Sequence, residues 1–342
     1  MRRRELVFGS ATFAIGGFGA GRVFGAEGAR VNLYVGEVLG RYGFLDGHPL
    51  GMDRQGAFFR ETQARGLDRR TKVGAPTTPA AREAIERFHT PAFVDQVANA
   101  ERDGLDLLDK GDTPVFPGVY PISATVVAAA LDGLDSIMRG ETLRTFQPIG
   151  GLHHAGRGHA AGFCVFNDLG VVIETLRRTY GVKRVGYIDI DVHHGDGVFY
   201  AFEDDPDLIF ADIHQDGRFL YPGTGHASEI GKSAAEGTKL NIPLPAGAGD
   251  AEFFAAWRKV EAHFERHPVE FYVFQCGADG LKGDPLASLE YSPAVHAHAA
   301  RGLCRLADAQ ARGRLMAFGG GGYSRPNLAA AWNNVVAELL VR

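Results

Sequence analysis

Nine consecutive residues concentrate more chemistry than any other stretch of the chain: Asp189-Ile-Asp191-Val-His193-His194-Gly195-Asp196-Gly197. They continue directly from a nearly unbroken apolar run at 184–190, which reads as a buried parallel strand. Carboxylates at a buried strand end cost on the order of several kcal/mol unless they are paired or bind a metal. In an extended chain residues 189, 191 and 193 point the same way. Asp191 and His193 can therefore reach one ion together, while Asp189 turns back to hold a neighbour. The competing reading is an ion-pair cluster at a helix start, with Asp196 as part of a cap. Acidic and imidazole groups at this density favour a site.

Three further clusters follow apolar runs. Residues 271–276 end in Gly277-Ala278-Asp279-Gly280. Alone, Asp279 reads as a turn former; beside the first cluster it is a candidate third ligand. Two aspartates and one histidine leave an open position on a four- or five-coordinate ion, as catalysis requires. Such a donor set suits Zn²⁺ and also Fe²⁺ or Mn²⁺. The run at 145–149 leads into Gly150-Gly151-Leu152-His153-His154-Ala155-Gly156. Its adjacent histidines read as acid–base groups, with Asp189 and Asp196 as spare carboxylate partners. The run at 315–318 leads into four glycines and Tyr323. That loop can carry a phenol to a pocket, or be a flexible loop with an aromatic plug, and it lacks the pattern of a phosphate cradle.

The elements that must position these clusters alternate along the chain. Strands are expected at 31–35, 145–149, 184–190, 208–213, 271–276 and 315–318. Helices are expected at 79–87, 91–100, 122–138, 168–180, 251–267, 293–312 and 327–340. This is an α/β alternation in one domain, implying a mostly parallel sheet with helices on both faces. Such folds bind ligands beyond the carboxyl ends of their strands, where all four clusters fall. The 342 residues suffice for a large core, and no linker or repeat divides them. A net charge of −5 with no long basic run argues against a nucleic-acid partner. Three widely spaced cysteines, Cys164, Cys276 and Cys304, argue against a disulfide framework.

Together these motifs resemble the histone deacetylase family of arginase-like fold, including its bacterial acetoin-utilisation and acetylpolyamine amidohydrolase relatives. The matching stretches are GGLHHA (150–155), GFCVFND (162–168), DIDVHHGDG (189–197), YPGTG (221–225), QCGADGLKGDPL (275–286) and GGGGY (319–323), with weaker matches at GHPLGMDR (47–54) and GDTPVF (111–116). The resemblance implies a zinc-dependent hydrolysis of linear N-acyl amides such as acetyl-lysine, with Fe²⁺ as an alternative metal. It assigns Asp191, His193 and Asp279 to the metal. It assigns His153 and His154, backed by Asp189 and Asp196, to acid–base chemistry, and Tyr323 to polarising the scissile carbonyl. Gly162, Phe163 and Tyr221 would line the acyl-lysine tunnel, with Leu286 near its mouth. Asp112 would grip substrate amides at the rim, and Arg54 and Cys164 would border an inner cavity. A structural K⁺ is implied beside Asp189, Asp191, His193, Asp212 and Ile213.

Two positions depart from the family pattern. Asp212 stands where a serine is common, and Tyr221 replaces the more usual phenylalanine. The expected partner is an acylated lysine peptide or a small acylated amine, with no stable membrane insertion; oligomeric state is left open. An acetylpolyamine amidohydrolase is the main rival, although no inserted block is evident between Arg54 and His153. A non-catalytic binding module would lack one of the site residues, and a dinuclear manganese hydrolase would need more carboxylates. Residues 1–29 differ from the remainder: Arg2, Arg3 and Arg4 precede a weakly apolar Gly/Ala-rich run with small residues at its exit. This is the layout of a twin-arginine-type export signal ahead of a catalytic domain at 30–342. It implies a periplasmic or exported protein; without it, a cytoplasmic one.

Overall fold

The computed structural model describes residues 31–45 and 47–341; the expected export segment at 1–29 lies outside them. Eight strands form one sheet: β1 Val31–Tyr34, β2 Lys72–Gly74, β3 Arg144–Gln147, β4 Val185–Asp189, β5 Leu208–Gln215, β6 Lys239–Leu244, β7 Phe271–Gln275 and β8 Leu315–Phe318. Their order is β2-β1-β3-β8-β7-β4-β5-β6, and every pairing is parallel. The helices are α1 Glu37–Gly40, α2 Arg54–Ala64, α3 Arg82–Ile85, α4 Pro91–Asn99, α5 Val119–Met138, α6 Asp168–Tyr180, α7 Asp196–Ala201, α8 Asp250–Arg266, α9 Ala294–Gln310 and α10 Arg325–Leu339.

The sheet separates two apolar cores. One packs α1 and α3 to α7 against residues such as Phe210, Val273 and Phe318; the other packs α2 and α8 to α10 against Phe146, Ile188, Phe274 and Ala317. Alternate residues of the central strands thus face opposite cores, which is why those strands read as continuous apolar runs. Helix α5 is long and apolar enough to cross a membrane, but it is mostly buried against α4, α6 and β3 as a core helix of this fold. Trp332 on α10 ties the second core to the site end of the sheet: its Nε1 donates to the Cys276 carbonyl at 3.1 Å, and the Arg54 guanidinium lies 5.2 Å from its ring.

The single-domain α/β expectation holds for the described residues, with corrections in detail. The helix expected at 79–87 is one turn, α3, because the chain at Ala80 bonds to the Ala124 carbonyl instead of coiling. Strands β2 and β6 and helix α2 were not anticipated. β2 is three exposed residues at one edge. β6 carries Lys239, Asn241 and Pro243, and it tolerates the proline because it is the opposite edge. α2 alternates apolar with polar residues too irregularly to announce a helix.

Lys239 itself is buried at the start of β6. Its ammonium donates to the carbonyls of Asp205 (2.8 Å) and Leu208 (2.7 Å) and to Thr238 Oγ1 (3.0 Å). Burial lowers its pKa from 10.5 to about 8. Below about pH 8 both folded and unfolded chains hold the proton, so the cost of burying it is constant. Between about 8 and 10.5 the unfolded chain binds more proton, so stability rises with pH. The difference in unfolding free energy between wild type and Lys239→Met, measured by denaturant titration from pH 7 to 10.5, should therefore move in favour of wild type above pH 8. A difference independent of pH would contradict this.

Candidate metal centre and active site

The four clusters meet at the carboxyl ends of the adjacent central strands β3, β8, β7 and β4. Asp191, His193 and Asp279 come together there, all buried, with one potential ligand atom from each lying within 4.8 Å of the others. His193 Nδ1 is 3.1 Å from Asp191 Oδ1 and 3.2 Å from Asp279 Oδ2. Burial pushes the Asp279 carboxyl up to about 7. Burial opposes a charged His193, but the two carboxylates beside it, Asp191 and Asp279, overcome that and push its pKa up to about 10. The pocket therefore favours positive charge between its two carboxylates. Asp279 Oδ2 has no hydrogen-bond partner although it is buried. A buried, unpartnered carboxylate oxygen beside a nitrogen donor and a second carboxylate fits a divalent cation.

The close approach needs glycine. A Cβ at Gly321 would stand 2.1 Å from Asp279 Oδ2 and 2.8 Å from Asp191 Oδ2, and the Gly321 N–H itself donates to Asp191 Oδ2 at 2.8 Å. Gln275 Nε2 donates to the same oxygen at 2.8 Å, and the Val192 N–H donates to Asp279 Oδ1 at 3.0 Å. These two carboxylates are thus oriented by backbone groups and a side chain from neighbouring strand ends, as metal-ligating carboxylates are.

The histidine pair lies alongside. His153 Nδ1 is 2.7 Å from Asp189 Oδ2, His154 Nδ1 is 2.6 Å from Asp196 Oδ1, and the two Nε2 atoms are 3.1 Å apart. With each Nδ1 proton committed to a carboxylate, a hydrogen bond between the Nε2 atoms needs one of them to carry a proton. Burial and the neighbouring imidazole lower the pKa of His154, which disposes it to be the neutral member. A cavity of about 20 Å³, room for roughly one water molecule, is lined by both histidines, Asp191, His193, Leu50, Cys164 and Tyr323. Burial raises the Tyr323 phenol well above its ordinary pKa, so it keeps its proton and can donate.

Gly162 and Phe163 form a two-residue turn, closed by reciprocal bonds between Ala161 and Cys164, with φ of 53° and 68°. Two left-handed residues make a tight hairpin turn, and a phenylalanine there is strained. The Tyr42 hydroxyl on the Phe163 carbonyl (2.8 Å) and Thr113 Oγ1 on its N–H (3.1 Å) hold it in place. The Phe163 ring meets Tyr323 edge-on at 6.0 Å, and Tyr221, partly exposed, meets His154 at 5.1 Å. Leu286 packs on the same apolar cluster as Phe163. Asp112 is exposed at the tip of the hairpin that carries Thr113. Arg54 donates to the carbonyls of Gly320 (2.6 Å) and Gly322 (2.9 Å), beneath Tyr323. Asp212 is turned to His214: its Oδ1 lies 2.7 Å from His214 Nδ1, and its Oδ2 accepts the Gly195 N–H at 2.9 Å. His214 Nε2 in turn faces the Gly225 carbonyl at 2.9 Å, so an internal histidine stands as the counter-group of Asp212. Ile213 is a core residue between these two.

Sequence reasoning missed the residues that position the site. The buried Asp168 carboxylate accepts the N–H groups of Gly151 (3.0 Å) and Leu152 (2.9 Å). Asn167 caps α6 and donates to the Ala155 carbonyl at 2.8 Å. Together they clamp the turn carrying His153 and His154. Asp284 Oδ2 accepts the N–H of Tyr323 at 2.8 Å. Asn167, Asp168, Gln275 and Asp284 all sit inside the matched motifs, and the buried polar character of those motifs was the available signal.

Residues 48–339 match the histone deacetylase domain family. The acetoin utilization protein AcuC of Bacillus subtilis (strain 168) is 37% identical over 255 residues, covering 71% of this chain and 65% of that protein, slightly under two thirds of its length. Histone deacetylase RPD3 of Saccharomyces cerevisiae (strain ATCC 204508 / S288c) is 31% identical over 325 residues, covering 90% of this chain and 73% of that protein. The crystal structure of the HDA15 HD domain superposes with a TM-score of 0.82 at 25% identity, covering 91% of this chain and 88% of that one.

Gly321→Ala should lower divalent-metal affinity about 10- to 100-fold, the range typical of disturbed outer-shell contacts, while leaving the fold intact, because Gly321 does not need a left-handed backbone. Competition of the purified variant against a fluorescent zinc chelator measures this, and wild-type affinity would contradict the placement of the carboxylates.

Proposed function

The chain belongs to the histone deacetylase family, and from that premise we propose that it is a metal-dependent amidohydrolase removing acetyl or longer acyl groups from lysine side chains or similar amines. The observation that carries the reading is the meeting of two carboxylate-backed histidines with the Asp191–His193–Asp279 group around a cavity of about one water. Zn²⁺ is the proposed ion, with Fe²⁺ as the alternative. Bound by Asp191, His193 and Asp279, it would polarise the amide oxygen and acidify a water.

The residues of the chain supply the rest. His154, disposed to be neutral, takes a proton from the attacking water, Asp196 stabilises the resulting imidazolium, and that proton is then given to the leaving amine nitrogen as the amide C–N bond breaks. His153, backed by Asp189, holds charge beside it and shares the proton across the Nε2 contact. Tyr323 donates its phenolic proton as a hydrogen bond to the oxyanion that develops on the amide oxygen. Phe163 and Tyr221 guide the extended acyl-lysine stem, and Asp112 accepts from substrate amides at the mouth. A structural K⁺ beside Asp189, Asp191, His193 and Ile213 belongs to the same proposal, with Asp212 acting mainly on His214. An acetylated polyamine is the second substrate class of this reading.

Tyr323→Phe should retain metal and melting temperature but lose about two to three orders of magnitude in turnover, as removal of an oxyanion donor does. Acetate release from acetyl-lysine peptides, longer acyl-lysines and acetylpolyamines with defined metals tests the reading; turnover of Tyr323→Phe equal to wild type contradicts it. We further propose that residues 1–29 direct export. Fractionation of the native host should find a shortened chain outside the cytoplasm; only full-length protein in the cytoplasm would overturn this.

A further inference from the structure

The aromatic wall at Phe163 borders more than the tunnel. His48 meets the Phe163 ring edge-on at 4.6 Å between centroids, and Phe44 does so at 6.1 Å. The same two residues, with Leu45, Pro114, Val115 and Phe116, line a separate cavity of about 240 Å³. Sites for drug-sized ligands run to roughly 300–1,000 Å³, so this one is the size for a single side chain. Among the described residues the side chains lining it are apolar apart from His48, whose pKa burial lowers, and polar groups supply about as much of its wall as apolar ones.

The cavity adjoins the hairpin that carries Asp112. Pro114 and Val115 follow Asp112 by two and three residues on one hairpin, which is held by Leu108 N–H to the Thr113 carbonyl (2.9 Å) and Val115 N–H to the Asp106 carbonyl (2.9 Å). The Asp109 carboxylate ties the hairpin tip, accepting from Gly111 N–H, Thr113 N–H and the Thr113 hydroxyl. The same Thr113 hydroxyl accepts the Phe163 N–H. Asp112's hairpin is thus tied by hydrogen bonds both to itself and to the turn that carries Phe163. Leu45, 51% exposed, and Leu107, 38% exposed and bridged to Pro114, leave apolar surface at this edge.

We propose that this cavity is a subsite for a large apolar side chain, of leucine or phenylalanine type, flanking the acylated lysine of a peptide. In an extended peptide neighbouring residues are about 3.3–3.6 Å apart. A backbone held at Asp112 therefore brings a flanking side chain to Pro114 and Val115, whereas a small acylated amine has nothing to place there. The inference rests on the deacylase reading and narrows its substrate class to peptide segments with an apolar neighbour.

The test uses zinc-loaded full-length protein and acetyl-lysine peptides in which one flanking position at a time is Gly, Asp, Leu, Phe or Trp, together with acetyl-lysine methylamide, which has no flanking side chain. Leu or Phe at one flanking position should raise kcat/KM about tenfold over Gly, through KM, as an apolar pocket does. Val115→Trp, which fills the cavity, should erase that preference while turnover of the methylamide stays within twofold. Val115→Ala, which enlarges it and perturbs folding least, should shift preference towards Trp. Equal rates across the wild-type panel, or a preference that survives Val115→Trp, would overturn the subsite. If no substrate turns over, the deacylase reading fails by itself. Fluorescence anisotropy of the same labelled peptides on wild type and Val115→Trp then decides the subsite, with equal affinities for the Phe and Gly peptides overturning it.

Discussion

Three carboxylates, Asp189, Asp191 and Asp279, are buried at neighbouring strand ends, and among the described residues their charged-group partners are histidines. Such burial costs several kcal/mol per charge, on the order that a domain has to spare in total. Much of the surrounding architecture answers to it. Backbone N–H groups of Asp191, Val192, His193 and Gly321 point at these carboxylates, and Gln275 and His153 bring side-chain donors. What is left is one unpartnered oxygen on Asp279 and a hole that favours a cation. The same arrangement that would be a liability in an ordinary core fits a metal ion here.

The loops around that hole are built to let things approach closely. Gly321 admits the ligand carboxylates, and the Gly162–Phe163 turn presents an aromatic ring in a conformation a phenylalanine seldom takes. Asp168 holds the turn before the histidine pair, Asp284 holds Tyr323, and Arg54 gathers the carbonyls of the glycine loop. Each catalytic candidate thus has a buried polar partner that helps to place it, as preorganised sites require.

Much of this was legible in the residues themselves. The central strands β4, β5, β7 and β8 are buried on both faces, so their apolar runs stand out, and charged clusters at their carboxyl ends could be located by that contrast. The edge strands were not legible: β2 is short and exposed, and β6 mixes Lys239, Asn241 and Pro243, whose partners lie in other elements. Asp279 read alone as a turn residue and became a candidate ligand only beside the 189–197 cluster, a proximity that the pairing of β7 with β4 produces. Asp168, Gln275 and Asp284 went unassigned for the same reason. Their work is done on backbone groups or carboxylates between 16 and 124 residues away, and no local spacing encodes that. Asp212 looked like a change to an ion site, whereas its neighbour His214, two residues on, is what engages it.

One divalent ion held by Asp191, His193 and Asp279 is proposed to support amide hydrolysis by the residues around it. The most direct measurement is a zinc titration of chelator-stripped protein, following acetate release from an acetyl-lysine peptide, in parallel on wild type and Asp279→Asn. Release should rise from near zero and saturate at one ion per chain for wild type, and stay near zero for Asp279→Asn at the same zinc concentrations. Undiminished release from the stripped protein, or a wild-type titration curve from Asp279→Asn, would contradict the account.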